Sequence, residues 1–388
     1  MRIAIIVGDP EVSDRFLISS RNWLKHIPKS HISGPAGPYA ILKNNLSLKK
    51  NIYDKKGKYI LIYLSVYHYL VEYYSKHHTF DLIFPKDISY KKLNEYDLVF
   101  YNFFDPVAQA TIDVKKALKY ESLLRSLPSN KVYPPISFID VQHDKCKYYS
   151  YLQKNKIPIV PTFCVTIEDW NSKDKKSIIN FVFSESSKLG FHQTFVKPIM
   201  GTSGTFTTLF PYPEESESAA KSRIFKHFSQ VFNKNHPKIV LQEYISGFAT
   251  ESIEMRLLYV GEKYQYTIVS TSVGNGWGEA DGMAALKSEG GSFSLNPKTL
   301  AKAKALASKV LKAIQPLYGK SPKLVTRVDI GCCITGGKMF VNEIEYAPAF
   351  FTSWFTKQNA NMIDVTLAKQ IISIANSKIK KKASSKIP

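Results

Sequence analysis

Residues 324–346 hold the pattern that most restricts how this chain can fold. Over 324–334, Arg327 and Asp329 lie two apart among apolar residues, and over 339–346, Glu343 and Glu345 lie two apart in the same way. Successive strand side chains point to opposite faces, so each charged pair lies on one face of its strand. Thr335, Gly336 and Gly337 between them suit a hairpin turn. Antiparallel pairing would then converge one arginine and three carboxylates among Val328, Ile330, Val341 and Ile344. Crowded carboxylates raise one another's pKa unless a cation neutralises them. Mg²⁺ answers that demand, because it takes oxygen ligands and keeps water and phosphate in its shell. Arg327 suits phosphate oxygens beside such an ion. The same spacing also fits a surface hairpin of alternating charge, and spacing alone leaves both readings open.

Two further segments carry chemistry. In 195–205 a strand delivers Lys197, and a loop follows with Gly201, Thr202, Ser203 and Gly204. Glycines let backbone N–H groups approach phosphate closely, and the lysine adds a point charge. It is not a Walker loop, since no Gly-Lys-Ser or Gly-Lys-Thr follows, and a plain turn between strands fits as well. In 240–245, Gln242, Glu243, Tyr244 and Ile245 form a strand that could pair an adenine edge with its backbone, or be an ordinary amphipathic strand.

The organisation around these segments is mixed. The first third alternates strand-like stretches (2–7, 80–84, 97–101 and 136–139) with helix-like ones such as 113–127, which argues for an α/β domain with a mainly parallel sheet. No GxGxxG follows the first strand, so a dinucleotide fingerprint is absent. A turn-rich stretch through Pro128, Pro134 and Pro135 marks a boundary, followed by a helix over 144–156 and a strand over 162–165. Beyond it, strands over 194–198, 206–210, 239–245, 252–260, 264–272, 324–334 and 339–346, several joined by short turns, suggest antiparallel α+β structure. Helices are expected over 213–232 and after Pro297, where Leu300, Ala303, Leu306, Ala307, Val310, Leu311 and Ile314 keep helical spacing.

Charge and cysteine usage narrow the partners. A net charge of +21 favours anionic partners such as ATP, polyphosphate, acidic peptides, nucleic acid or anionic membrane. Lys378 and Lys380 to Lys382 read as a mobile basic tail serving solubility or loose electrostatics. No strand interleaves aromatics with arginines, so specific nucleic-acid binding is not expected. Cys146, Cys164, Cys332 and Cys333 show neither zinc-ligand spacing nor a disulfide framework. No apolar run approaches the roughly 20 residues of a membrane span, and the start does not read as a signal peptide, so a cytoplasmic setting is expected.

Taken together and in order, these segments resemble the ATP-grasp superfamily, nearest to the RimK-type glutamate ligases and more distantly to the D-alanine–D-alanine ligases, over about 138–377. Asp144-Lys145 before Ile157-Pro158 is similar to the family's "DK…IPvP" segment, and Lys197 with Gly201 to Gly204 to its "VK…GTxG". Gln242-Glu243-Tyr244-Ile245 resembles the adenine strand, and Glu254 and Arg256 resemble the "DIR" segment. Asp329 and Glu343-Ile344-Glu345 with Pro348 resemble the metal segment, with Glu345 where asparagine is usual.

The resemblance implies two lobes closing over ATP, after an α/β pre-ATP-grasp domain at 1–135. A lid lobe would span 136–240, a metal-bearing lobe 241–377, and the basic tail 378–388. It implies ATP and Mg²⁺ (or Mn²⁺) as cofactors. Lys145 and Lys197 would hold phosphate, Glu254 the ribose, and Asp329, Glu343 and Glu345 the metal. Lys197 and Arg327 would assist catalysis, and Arg256 and Lys287 are candidate phosphate or substrate contacts. The implied activity is ADP-forming carboxylate–amine ligation through an acylphosphate, such as adding an amino acid to a peptide or small molecule. The alternatives are a nucleotide-binding protein without ligase activity, acting structurally or as a regulator, and a phosphotransferase. The stretch 274–279 and the aromatic patch 349–355, with Trp277 and Trp354, are where substrate choice is expected. Oligomeric state is not legible.

Overall fold

The computed structural model describes residues 1–7, 64–83, 87–103, 113–200, 206–245, 252–271, 283–285, 296–333, 338–346 and 357–384. Strand β1 (Arg2–Val7) is buried from Ile3 to Ile6, the mark of a strand covered on both faces. Helix α1 (Leu64–Tyr74) leads to β2 (Thr79–Ile83), helix α2 (Tyr90–Asn94) to β3 (Leu98–Phe103), and helix α3 (Val114–Ser126) to β4 (Val132–Tyr133). These strands pair in parallel in the order β2-β1-β3-β4, as the strand–helix alternation predicts. Asp113 starts α3 by accepting the Lys116 amide at 3.0 Å, a side-chain cap for an otherwise unpaired donor.

Helices α4 (Ile136–Gln142) and α5 (Lys145–Lys154) then lead into a second sheet. It is built from β5 (Thr162–Thr166), β6 (Thr194–Pro198), β7 (Thr208–Phe210) and β8 (Lys238–Glu243), antiparallel in the order β5-β8-β6-β7. Helices α6 (Ile167–Ser172), α7 (Lys175–Lys188) and α8 (Glu217–Asn233) belong to this lobe. Its core is separate, with Trp170, Val182, Val196, Ile224, Phe228 and Leu241 at its centre.

The third sheet is antiparallel, β11-β10-β9-β12-β13, from β9 (Ser252–Val260), β10 (Lys263–Thr271), β11 (Met283–Ala285), β12 (Val325–Cys333) and β13 (Met339–Glu345). Between β11 and β12 runs α9 (Pro297–Tyr318), capped by Asn296 with proline at its first position. The buried stripe of α9 is Ala303, Leu306, Ala307, Val310, Leu311, Ile314 and Tyr318, the predicted face with Leu300 left half-buried. Each large residue on that stripe contributes roughly 1.5–3 kcal/mol by leaving water. The third sheet, α9 and the first sheet share one continuous core. Gly261, at φ +61°, makes the tight β9–β10 turn, where a side chain would crowd Gln370 of helix α10 (Lys357–Ser384).

Four expectations are corrected. Residues 136–139 form α4, not a strand: Pro134 and Pro135 end β4, and one turn later Phe138 and Ile139 bury themselves on the helix. Helix α10 runs through the basic residues to Ser384, because lysine and alanine favour helix and no glycine or proline interrupts 357–384. The run from Lys378 is therefore helix, not a separate tail, and Lys378 itself donates to the Asn130 carbonyl at 3.1 Å. Helices α6 and α7 fill 167–188, where no element was expected. Cys146 and Cys164 form a disulfide, which their 18-residue separation could not reveal because a helix start and a strand meet only in the tertiary fold. Disulfides are rare in reducing compartments, so the cysteines give no support to the cytoplasmic expectation. Among the described residues, no helix is long and apolar enough to cross a membrane.

Candidate active site

The hairpin forms as its alternation demands. Strand β12 pairs with β13 so that Arg327 faces Glu345 and Asp329 faces Glu343, and on its other side β9 sets Arg256 against Asp329. Arg327 grips Asp329 with two hydrogen bonds, 2.8 and 2.7 Å, and reaches Glu345 at 2.7 Å. Both members of the central pair are nearly sealed, Arg327 at 5% and Asp329 at 2% exposure, so each depends on the other for its charge. One carboxylate oxygen from each of Asp329, Glu343 and Glu345 lies within 4.8 Å of the others. Three oxygen donors so close, with basic groups around them, fit a hard divalent cation such as Mg²⁺.

A β-bulge adds a residue that period-two reasoning misses. Asp329 pairs with Glu343 but Ile330 pairs with Val341, so Asn342 is the extra residue on β13. Its side-chain amide donates to Glu254 at 2.7 Å, and its carbonyl accepts from the Tyr148 and Tyr149 hydroxyls at 3.0 and 2.8 Å. Glu254 also takes two bonds from Arg256, 3.0 and 2.8 Å. Burial works against its charge, but Arg256 and Asn342 outweigh it and hold its pKa below the usual value. The signal that could have found Asn342 is an amide among acids one residue before Glu343.

The lysines arrive from two other elements. Asp144 caps α5 by accepting the Cys146 and Lys147 amides at 3.0 and 3.1 Å, which fixes Lys145 at the helix start. From there its Nζ meets Glu343 at 3.0 Å. Lys197, on β6, donates to the Tyr149 hydroxyl at 3.1 Å. Burial pushes the Glu343 pKa up, but Lys145 first, then Lys197 and Arg327, bring it down to about 2. Glu343 is thus an anion across the physiological range. At Asp329 burial dominates, and its pKa stays above the usual value although Arg327 pulls it down.

The adenine-strand residues lie at the end of β8 on the second sheet and just after it. Gln242 is buried and donates to Thr162 at 2.8 Å. The Glu243 and Tyr244 amides donate to the carbonyls of Pro161 and Gln193 at 3.0 and 2.8 Å. A base at this strand would therefore meet carbonyls and side chains rather than those two amides. Ile245 follows in irregular backbone. Gly201, Thr202, Ser203, Gly204, Lys287 and residues 274–279 and 349–355 lie outside the described residues.

No protein-family profile matches the sequence, and no curated protein matches it. Solved structures do. A D-cycloserine synthetase, DcsG, superposes with a TM-score of 0.61 at 13% identity, covering 95% of this chain and 99% of its own. The D-alanine–D-alanine ligase of Bacillus anthracis, complexed with ATP, gives 0.53 at 14% identity and 99% coverage of both chains. A RimK-domain ATP-grasp protein of Sphaerobacter thermophilus gives 0.50 at 12% identity, covering 95% and 99%. Identities this low speak for architecture alone, and with near-complete coverage on both sides they identify this chain as having the ATP-grasp fold.

Proposed function

We propose that this chain is an ATP- and Mg²⁺-dependent ligase that joins a carboxylate to an amine with release of ADP. The observation that carries the reading is the cluster of Asp329, Glu343 and Glu345, oxygens within 4.8 Å, ringed by Lys145, Lys197, Arg327 and Arg256. Asp329, Glu343 and Glu345 would hold the metal, which when bound supplies neutralisation of phosphate charge (Mn²⁺ has the same preference for oxygen). Phosphoryl transfer is promoted mainly by positioning and charge. Lys145 and Lys197 would bind the phosphate chain and Arg327 the transferred group, with Arg327 kept in place by Asp329. Glu254, fixed by Arg256 and Asn342, offers carboxylate oxygens to the ribose hydroxyls. The substrate carboxylate attacks the γ-phosphate, and the amine then displaces phosphate from the resulting acylphosphate. The fold neighbours named as ligases support this reading, and a cytoplasmic setting would supply ATP and Mg²⁺.

The test is product analysis. The full chain is incubated with ATP, Mg²⁺ and paired carboxylates and amines, beginning with glutamate and acidic peptides because of the +21 charge. ADP release that requires both partners, with a new amide in the mass spectrum, is the expected result. A phosphorylated product without an amide would replace ligase by phosphotransferase. Bound ATP that is never consumed would leave a nucleotide-binding protein with a structural or regulatory role.

A further inference from the structure

The Cys146–Cys164 bond joins α5, the helix that carries Lys145, to β5 of the sheet that carries Lys197. Cys146 directly follows Lys145 in the first turn of α5. Cys164 pairs across β5 with Val240 of β8, and Lys197 pairs across β6 with the same Val240 from the other side. Residues in register across neighbouring strands share a face, so Cys164 and Lys197 look the same way, toward α5. The disulfide therefore clamps the helix of Lys145 onto the sheet of Lys197. Beside it, Lys238 reaches Asp144 at 2.6 Å and Lys197 donates to the Tyr149 hydroxyl at 3.1 Å.

The bond is also open to attack. Both cysteines are partly exposed, and Cys146 lines a surface groove of about 390 Å³ with Val141, Lys147, Ser150, Tyr151 and Lys154. Two lysines there attract an anionic reagent. A thiolate at Cys146 would sit at the start of a ten-residue helix beside Lys147, which stabilises it.

We propose that Cys146 is a thiol–disulfide exchange site for a carboxylate-bearing thiol, and that its bond to Cys164 sets how tightly the cleft holds nucleotide. The second half rests on the nucleotide reading above. The incoming thiolate attacks the Cys146 sulfur, the S–S bond breaks, and its electron pair leaves on Cys164, which takes a proton from water. A second thiolate attacks the small molecule's own sulfur in the mixed disulfide and releases Cys146 as the thiolate. Two small thiols are oxidised to one disulfide, and one protein disulfide is reduced to two thiols.

The test uses the full oxidised chain, with reduced glutathione as the anionic thiol and dithiothreitol as the neutral one. Freed cysteines are counted by mass after alkylation, and MgATP affinity is measured by calorimetry before and after. Both reagents should free Cys146 and Cys164 in the folded chain. Lys147→Ala with Lys154→Ala should slow glutathione several-fold and leave dithiothreitol unchanged; an equal response to both reagents would remove the anionic-thiol assignment. Reduction should weaken MgATP about tenfold by loosening the preorganised lysines, and Cys164→Ser should match the reduced chain. Equal MgATP affinity of the oxidised and reduced wild type overturns the proposal alone, whereas no binding in either state overturns the nucleotide reading and the proposal with it.

Discussion

Strands β12 and β13 hold their charges against the large core shared by the first and third sheets, whereas β6 presents Lys197 from a sheet with a smaller core of its own. On the first side the strand acids have partners on their own or a neighbouring strand: Asp329 and Glu345 with Arg327, Glu254 with Arg256 and Asn342. On the second side Lys197 meets only one hydroxyl among the hydrogen bonds described, and the lobe is tied to α5 by an ion pair and a disulfide. Charges that are part of the core carry stability and function together. Charges on a separately packed lobe can be removed with the fold intact.

The sharpest way to break this contrast is Asp329→Ala. It leaves Arg327 buried without its main partner, and losing one member of a buried pair costs about 3–5 kcal/mol. Urea unfolding should show that loss, and Mg²⁺-dependent nucleotide binding should disappear with it; an unchanged midpoint would mean the pair is not structural. Lys197→Ala should cut ATP-dependent turnover about 10²–10³-fold, as for loss of one charge-stabilising donor, while the melting temperature stays put. A large fall in melting temperature would erase the distinction between the two sides. Asn342→Ala should lower nucleotide affinity about tenfold by releasing Glu254, with stability reduced only by about 1 kcal/mol for the lost bond.

The last test is read against pH and concerns Glu121, on α3. Burial opposes its charge, but His143 and Arg125 bring its pKa down to about 2 from 4.5. A depressed carboxylate stabilises the fold above its unfolded pKa and loses that contribution as pH falls toward the folded one. Glu121→Gln should therefore lower stability at neutral pH and flatten the acid-side decline between about pH 4.5 and 2. An unchanged profile would assign the acid sensitivity to other groups.

How much of this was legible depended on whether a feature is local. Arg327, Asp329, Glu343 and Glu345 could be placed from alternation alone, because the strand period sets which face each side chain takes. The face of α9 followed from its 3.6-residue spacing in the same way. Asn342 escaped because a bulge breaks the period inside a strand that otherwise keeps it. The Cys146–Cys164 bond escaped because its geometry exists only after α5 packs on the second sheet. Residues 136–139 were misread because a short apolar run suits strand and buried helix equally, and only packing decides between them.

The most direct measurement is calorimetric titration of ATP with and without Mg²⁺, on the wild-type chain and on Glu343→Gln. Binding that requires Mg²⁺ and weakens clearly in the variant is what the arrangement of Asp329, Glu343 and Glu345 predicts. A folded wild-type chain that binds no ATP, or binds it equally with and without Mg²⁺ and Glu343, would contradict it.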